Sequence, residues 1–207
     1  MKFLLILTIF LSLNLFGQSK KDKFKELVIP AVENVYTQLQ ENFIEVKHYI
    51  EHPNPYYQKM IDKLKKEYKA TSNEDLLQRM KPHPKSIAIA QAALESAWAT
   101  SRFYREANNL FGVWSKNKND ARIAAGKKRG TQTIWLRKYE TIEESIKDYY
   151  KTIARSKAFK EFRKLKMKTD NPHTLVKKLD KYSEIGAEYG KSLSSVINYN
   201  KFYLYDK

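Results

Sequence analysis

Hydrophobic residues recur at intervals of three and four along the first part of the chain. They are Phe24, Val28, Ala31, Val35, Leu39, Phe43, Val46 and Ile50. This spacing places them on one face of a helix, so it predicts a long amphipathic helix that Pro30 can bend. Pro53 and Pro55 interrupt the pattern and mark its end.

Capping signals predict two shorter helices after this break. Asn54 can cap a helix that has Pro55 in its first turn and runs to about Tyr68. Ser72 can cap a third helix that ends near Met80. The N-terminal part of the chain is therefore predicted to be entirely helical.

The helical pattern fails between residues 114 and 139. The run 131–136 alternates and is rich in β-branched and aromatic residues, which predicts a β-hairpin. Thr141 and Glu144 then form a capping-box pattern for a further helix. Helical spacing returns over three segments, 158–165, 174–182 and 187–199. The sequence thus predicts a mainly α fold (α+β) with a small β-hairpin lobe.

The first 17 residues have the pattern of a secretory signal peptide. Lys2 precedes the apolar run 3–16, and Gly17 offers a small residue for cleavage. The run is shorter than the about 20 residues of a membrane-spanning helix, and an uncleaved anchor is the alternative. We divide the chain into a signal peptide (1–17), an N-terminal helical region (18–83) and a second domain (84–207). We expect a periplasmic or extracellular protein without stable membrane insertion after cleavage.

Composition narrows the available chemistry. The chain has no Cys, and its four His are scattered, so we expect no disulfide, no metal and no other cofactor. A formal net charge of +16 favours a polyanionic partner, either nucleic acid or the cell wall. The signal peptide and the lack of a nucleic-acid-binding motif favour the cell wall.

Residues 86–101 carry a single charged side chain, Glu95, among Ala and large apolar residues. A segment that is apolar on nearly every face predicts a buried helix. Burial raises the pKa of a carboxyl group, which would let Glu95 donate a proton to a leaving oxygen near neutral pH. A structural ion pair with Arg102 or Arg105 is the alternative, and the local pattern does not decide between the two.

Residues 108–114 form a second candidate segment. Asn109 offers an amide for hydroxyl and acetamido groups, and Phe111 and Trp114 offer flat rings that cover sugar faces. The alternative is a helix C-terminal turn with core aromatics.

The predicted β lobe is strongly basic. Between residues 115 and 138 it has one acid, Asp120, and eight basic residues: Lys116, Lys118, Arg122, Lys127, Lys128, Arg129, Arg137 and Lys138. It can line a groove for an anionic polymer, or it can be a solvated hairpin.

Four blocks resemble the signature of the bacterial endo-β-N-acetylglucosaminidases, a family of autolysins and peptidoglycan hydrolases. They are residues 91–101 (QAALESAWATS), 109–112 (NLFG), 139–146 (YETIEESI) and 182–184 with the final helix. The likeness is strongest to the Bax-like branch. There it takes in the N-terminal helices, and hence nearly the whole chain after the signal peptide.

The resemblance implies a lysozyme-like helical domain at 84–207 with a small β lobe. It implies a glycoside hydrolase that cleaves peptidoglycan between N-acetylglucosamine and N-acetylmuramic acid, with Glu95 as general acid. We expect this hydrolase to be a monomer. The resemblance also places Tyr139 near the reacting sugar. Residues of the substrate groove would be Asn109, Phe111 and Gly112.

Two features depart from the family pattern. Ala97 and Ala99 stand where the family often has Gly. Many members also carry a second acid in the β lobe, where this chain offers only Asp120. We therefore hypothesise that the substrate's acetamido group acts as nucleophile, an exception to the usual pair of carboxylates, with Tyr139 stabilising the intermediate.

Three other functions remain open at this stage. A lytic transglycosylase on the same scaffold would also use one Glu, but it would release an anhydro sugar. A non-catalytic cell-wall-binding protein would keep the groove without turnover, although an intact Glu95 argues against it. A nucleic-acid binder would explain the charge but not the signal peptide.

Overall fold

The computed structural model describes residues 19–129 and 131–207, so the predicted signal peptide at 1–17 lies outside the described residues. The helices are α1 Lys20–Glu51, α2 Pro55–Tyr68, α3 Asn73–Met80, α4 Lys85–Glu95, α5 Arg102–Ala107, α6 Ile142–Arg155, α7 Lys160–Lys166, α8 Pro172–Leu175 and α9 Ala187–Tyr199. The strands are β1 Arg122–Arg129 and β2 Gln132–Arg137. The mainly α fold with a small β-hairpin lobe is confirmed. No helix in the described part of the chain has the length and apolar character needed to cross a bilayer.

Helix α1 is shared by two hydrophobic cores. Phe24 and Val28, near its N-terminus, are buried in the main core together with α4, α6 and α9. Phe43 and Val46, near its C-terminus, are buried in a smaller core with α2 and α3. The helix continues through Pro30, which lies on its exposed side. One long helix therefore joins the N-terminal helical region to the rest of the fold.

Helix α4 lies at the centre of the main core. Its residues from Ser86 to Ala93 are buried, and it packs against α1, α9 and the C-terminal 3-10 helix Phe202–Asp206. The backbone N–H and the hydroxyl of Ser86 both donate to the carboxylate of Asp206, at 2.8 and 2.6 Å. These bonds fix the N-terminal end of α4, where no side chain caps it.

Helix α4 ends at Glu95, earlier than the apolar pattern predicts. Ala97, Trp98 and Ala99 follow with positive φ values of 51°, 60° and 58°. The hydroxyl of Ser96 donates to the carbonyl of Ala92 at 2.6 Å and accepts from the N–H of Ala99 at 2.8 Å. This left-handed turn (97–99) was not predicted, because alanine carries no sequence signal for positive φ.

The β lobe is the antiparallel pair β1–β2, as predicted. Its register is irregular between Ala124 and Lys128, and Trp114 forms an isolated bridge with Leu136. Helix α6 follows with Thr141 as its cap, whose hydroxyl accepts from the N–H of Glu144 at 3.3 Å.

The C-terminal segments are only partly as predicted. The expected helix over 174–182 is wrong: α8 ends at Leu175, and a 3-10 helix, Val176–Lys178, follows it. The helix over 187–199 is confirmed as α9. At Gly190 a Cβ would lie 2.8 Å from the carbonyl oxygen of Val176. A glycine at this position therefore lets α9 approach the 3-10 helix closely.

The left-handed turn predicts an unusual response to glycine. We expect Ala97→Gly and Ala99→Gly each to raise the free energy of unfolding by about 1 kcal/mol, since glycine adopts positive φ without a Cβ clash. Ala88→Gly, inside α4, is the matched control and should lower it by about 1 kcal/mol or more. Urea unfolding measures all three. Turn variants destabilised as much as the control would contradict the conformation of this turn.

Candidate functional site

A cleft of about 910 Å³ lies between the helical body and the β lobe. This volume is near the top of the about 300–1,000 Å³ range of small-molecule sites, so the cleft can hold more than one sugar unit. Described residues that line it are Lys69, Glu95, Phe103, Phe111, Gly112, Val113, Trp114, Lys116, Ala125, Ile134, Leu136, Arg137, Asp148, Lys151, Thr152, Arg155, Ser156, Phe159, Lys181 and Tyr182.

Glu95 is the last residue of α4 and faces this cleft, where its side chain is exposed. Desolvation by the surrounding protein nevertheless raises the pKa of its carboxyl group, and a hydrogen bond from Tyr189 opposes this rise. The negative end of the helix dipole acts in the same direction as desolvation. A glycan that displaces water from the cleft would raise the pKa further.

The structure does not show the alternative predicted for Glu95, an ion pair with Arg102 or Arg105. Arg102 pairs with Glu106 at 3.0 Å and donates to the carbonyl of Ala124. None of the ion pairs found among residues 19–129 and 131–207 includes Glu95. Its one protein hydrogen bond in this region comes from the hydroxyl of Tyr189, at 2.7 Å.

A chain of buried side chains leads to Glu95. Nε2 of His83 lies 2.8 Å from the hydroxyl of Tyr149, which donates to the side-chain oxygen of Gln91 at 2.5 Å. The amide nitrogen of Gln91 donates to the hydroxyl of Tyr189 at 3.0 Å, and Tyr189 donates to Oε1 of Glu95. The four side chains that precede Glu95 in this hydrogen-bond chain are all buried: His83, Tyr149, Gln91 and Tyr189.

The direction of each bond in this chain is fixed. Tyr149 uses its one proton on Gln91, so it accepts from His83, whose Nε2 must carry the proton. Burial, together with the charge of Lys166, lowers the pKa of His83 well below its usual value, so the ring is neutral. With the Gln91 amide oriented in this way, Oε1 of Glu95 is an acceptor, and no hydrogen bond to Oε2 is found among the described residues.

Sequence reasoning missed Gln91 and Tyr189. Gln91 had a readable signal, because it is a polar residue in an apolar helix and lies four positions before Glu95, on the same face. Tyr189 is distant in sequence and had none.

A second hydrogen-bonded group involves Tyr139. This residue is 9% exposed, and its hydroxyl donates to Oδ2 of Asp148 at 2.6 Å. Burial and the bond to Asp148 raise the pKa of the Tyr139 phenol. Arg137 donates to the same oxygen of Asp148 at 2.9 Å. Tyr139 is therefore one contact away from the cleft, and Asp148 is the residue of this pair that lines it.

Asp120 does not appear among the described residues of the cleft wall. Its carboxylate accepts from the hydroxyl of Ser115 at 3.0 Å and lies 3.5 Å from Nε of Arg137. The second carboxylate that faces the cleft is Asp148, which the sequence analysis missed because it looks like an ordinary edge residue of an amphipathic helix.

The predicted groove residues have different positions. Phe111 and Gly112 line the cleft, with the ring of Phe111 stacked on Tyr149 at 4.0 Å, and Trp114 lines it with half of its surface exposed. Asn109 is buried instead. Its amide donates to the carbonyls of Val113 and Arg137 and accepts from the N–H of Val113, so it shapes the loop and does not face the cleft.

Basic residues of both the β lobe and the helical body line the cleft. Only Lys116 and Arg137 of the β lobe are found among the described lining residues. Arg122 stacks over Trp135 at 4.3 Å. The other lining cations are Lys69, Lys151, Arg155 and Lys181. The predicted basic groove therefore depends as much on the helical body as on the hairpin.

The chain is similar to a family of known proteins. The family described as mannosyl-glycoprotein endo-beta-N-acetylglucosaminidase (Glucosaminidase) matches residues 71–202. The chain is 27% identical over 201 residues to Protein bax of Escherichia coli (strain K12), covering 89% of this chain and 71% of that protein. It is 40% identical over 76 residues to the exo-glucosaminidase LytG of Bacillus subtilis (strain 168), covering 34% and 27%.

Among solved structures, the catalytic domain of the autolysin Auto from Listeria monocytogenes aligns with a TM-score of 0.49 and 20% identity. The alignment covers 81% of this chain and 88% of that one.

The family match spans more than half of the chain and contains the whole hydrogen-bond chain from His83 to Glu95. The similarity to Protein bax extends over nearly the full length, which confirms the resemblance to the Bax-like branch. The chain belongs to the glucosaminidase family.

Proposed function

We propose that this protein is a peptidoglycan hydrolase that cleaves glycan strands as an endo-β-N-acetylglucosaminidase, with Glu95 as general acid. The observation that carries the proposal is the carboxyl group of Glu95, which has a raised pKa and lies in an open cleft with one oxygen held by Tyr189. The cleft volume favours an internal segment of a strand over a single terminal sugar. The predicted export signal fits a substrate in the cell envelope.

In the first step, Oε2 of Glu95 donates its proton to the glycosidic oxygen while the bond from that oxygen to the anomeric carbon breaks. The acetamido carbonyl oxygen of the same sugar bonds to the anomeric carbon and forms a cyclic intermediate. Water then attacks the anomeric carbon, the bond from that carbon to the acetamido oxygen breaks and restores the acetamido group, and the ionised Glu95 takes up the proton that the water loses. Two displacements at one carbon give a product with retained configuration.

Asp148 suits the role of a partner for the acetamido group in this scheme. Its Oδ2 accepts from Tyr139 and Arg137, which hold the carboxylate at the cleft wall, and its Oδ1 can accept from the acetamido N–H. Tyr139 then acts through Asp148 as a positioning residue. We propose this indirect role in place of a direct contact between the Tyr139 hydroxyl and the sugar, because that hydroxyl donates to Asp148 and Tyr139 is not among the described residues that line the cleft.

Phe111, Gly112 and Trp114 are proposed to contact the glycan. The exposed indole of Trp114 can cover an apolar sugar face, and the positive φ of Gly112, 65°, keeps the adjacent backbone free of a side chain. Asn109 supports this loop from behind through its bonds to the backbone.

Glu95→Gln is expected to lower kcat on purified peptidoglycan at least about a hundredfold, because the amide has no acid proton to donate. Glu161→Gln, at an exposed position on α7 that pairs with Lys164, is the matched control and should retain activity. Release of soluble muropeptides measures both. Equal digestion by the two variants would remove Glu95 from the mechanism.

The digestion products distinguish a retaining hydrolase from an inverting hydrolase and from a lytic transglycosylase. We expect reducing-end N-acetylglucosamine, detected by mass spectrometry, and NMR of early time points should show retained β configuration at the new end. An anhydro sugar would identify a lytic transglycosylase. An inverted product would point to a directly activated water, with Asp120 or Asp148 as base.

Tyr189→Phe is expected to shift the pH profile of kcat/KM. The hydroxyl stabilises the ionised carboxylate of Glu95, so its removal should raise the pKa further and move the alkaline limb to higher pH. Tyr199→Phe, on the same helix and 80% exposed, is the control and should leave the limb in place. A limb that is unchanged or moves to lower pH in Tyr189→Phe would contradict the role of this bond.

A further inference from the structure

We propose that Lys69, Lys151 and Arg155 form a carboxylate-binding subsite that holds the stem peptides of the peptidoglycan strand. This inference rests on the proposed function and adds a substrate class to it: strands that still carry their peptides. We call these three residues the basic end of the cleft. They line the same cleft as Glu95, and the N-terminal helical region contributes one of them.

Lys69 is the residue that the N-terminal helical region contributes to the basic end. It follows α2 in a left-handed conformation, with φ 56°, and lies just before the family match at 71–202. The N–H of Ala70 donates to the carbonyl of Lys65 at 2.8 Å, which fixes the backbone at this position. The side chain of Lys69 is exposed and lines the cleft. The helical region outside the family match thus reaches the proposed substrate site.

Lys151 connects the two walls of this end. Its ammonium group lies 2.6 Å from a carboxylate oxygen of Glu67 on α2, whereas its backbone belongs to α6. The bond holds α2 and α6 together beside Lys69. More than a third of the Lys151 side chain stays exposed, so the ammonium group keeps donors for a ligand.

Arg155 supplies the guanidinium group of the basic end. It lines the cleft and is partly exposed, and no ion pair of this residue is found within the described chain. Its Nε is buried, as are the Nε atoms of Arg137 and Arg163, so a carboxylate would bind its two terminal nitrogens as a bidentate pair. The hydroxyl groups of Thr152 and Ser156 border the same end and can donate to a second oxygen.

Charge then identifies the ligand class. Among the described lining residues there are six cations and two acids, Glu95 and Asp148, and Asp148 already pairs with Arg137. The amino sugars of an intact strand are neutral, because the lactyl carboxyl of N-acetylmuramic acid forms the amide bond to the stem peptide, so the glycan itself gives these cations no anionic partner. The anionic groups attached to the strand are the free carboxylates of its stem peptides, and a guanidinium matches their planar geometry.

The test compares two substrates and a set of variants of the full chain. The substrates are glycan strands with free stem-peptide carboxylates and the same strands after those carboxylates have been converted to neutral amides. Removing the peptides with an amidase would not serve, because it exposes a new carboxylate on each N-acetylmuramic acid. The variants are Arg155→Gln and Lys69→Gln, with Lys157→Gln as a control that removes an exposed charge outside the cleft lining. Arg155→Lys keeps the charge but not the pair of terminal nitrogens.

We expect the parent to prefer strands with free stem-peptide carboxylates about tenfold in kcat/KM, as one charge-assisted bond would give. Arg155→Gln and Lys69→Gln should lose most of this preference while their kcat/KM on the amidated strands stays unchanged. Arg155→Lys should retain part of it, and Lys157→Gln all of it. The preference should shrink as salt is added, because exposed charges are screened.

Other outcomes would overturn the subsite. Equal losses on both substrates would assign Arg155 and Lys69 a structural role. A parent without preference would exclude stem-peptide recognition, and inhibition by inorganic phosphate in that case would point to a phosphate polymer as the anion. A parent that cleaves neither substrate would refute the proposed function, which separates that failure from a failure of the subsite.

Discussion

Placing a carboxyl group at the negative end of a buried helix is unfavourable for its ionised form, and the rest of this structure depends on how that constraint is met. Glu95 ends α4, whose residues from Ser86 to Ala93 are enclosed by α1, α9 and the C-terminal 3-10 helix. Desolvation by this surrounding protein raises the pKa of the carboxyl group, and one hydroxyl, from Tyr189, limits the rise. In the proposed mechanism, the balance between these effects decides at which pH the proton is available, so the packing of α9 on α4 would be a catalytic as well as a structural contact.

The two ends of the cleft differ in how their polar side chains are paired. Next to Glu95, the buried side chains of Gln91 and Tyr149 use their hydrogen-bonding groups on each other and on neighbours. At the basic end, no ion pair of Arg155 is found within the described chain, and Lys69 is exposed. A site that satisfies its own groups is pre-organised for chemistry, whereas a site that leaves a donor open is pre-organised for a ligand. The two ends therefore suit a neutral reacting bond and a charged side group of one polymer.

Local signals in the sequence predicted most of the helices and the hairpin. Asn54, Ser72 and Thr141 cap the helices that their side chains predicted, because capping depends on a few adjacent residues. Glu95 was found because a charge in an apolar segment is conspicuous. Asp148 and Tyr189 were not found, since their roles arise from contacts between distant segments that leave no trace in the local pattern.

The failures have equally specific causes. The end of α4 was missed because alanine at 97 and 99 resembles a continuing helix, although the backbone there is left-handed. Asn109 was predicted to contact sugar from its residue type, but the loop it stabilises needs all of its hydrogen-bonding groups. Residue type thus predicts which interactions are available, and only the fold decides whether backbone or ligand uses them.

The N-terminal end of helix α1 packs against the turn that follows Glu95. Phe24, in its first turns, packs edge to face against Trp98 at 5.2 Å, and the ammonium of Lys21 lies over the same indole. Trp98 belongs to the turn that directly follows Glu95. Fraying at the N-terminal end of α1 would therefore loosen the turn next to Glu95, so in the proposed mechanism local opening of α1 and loss of the geometry at the acid are coupled.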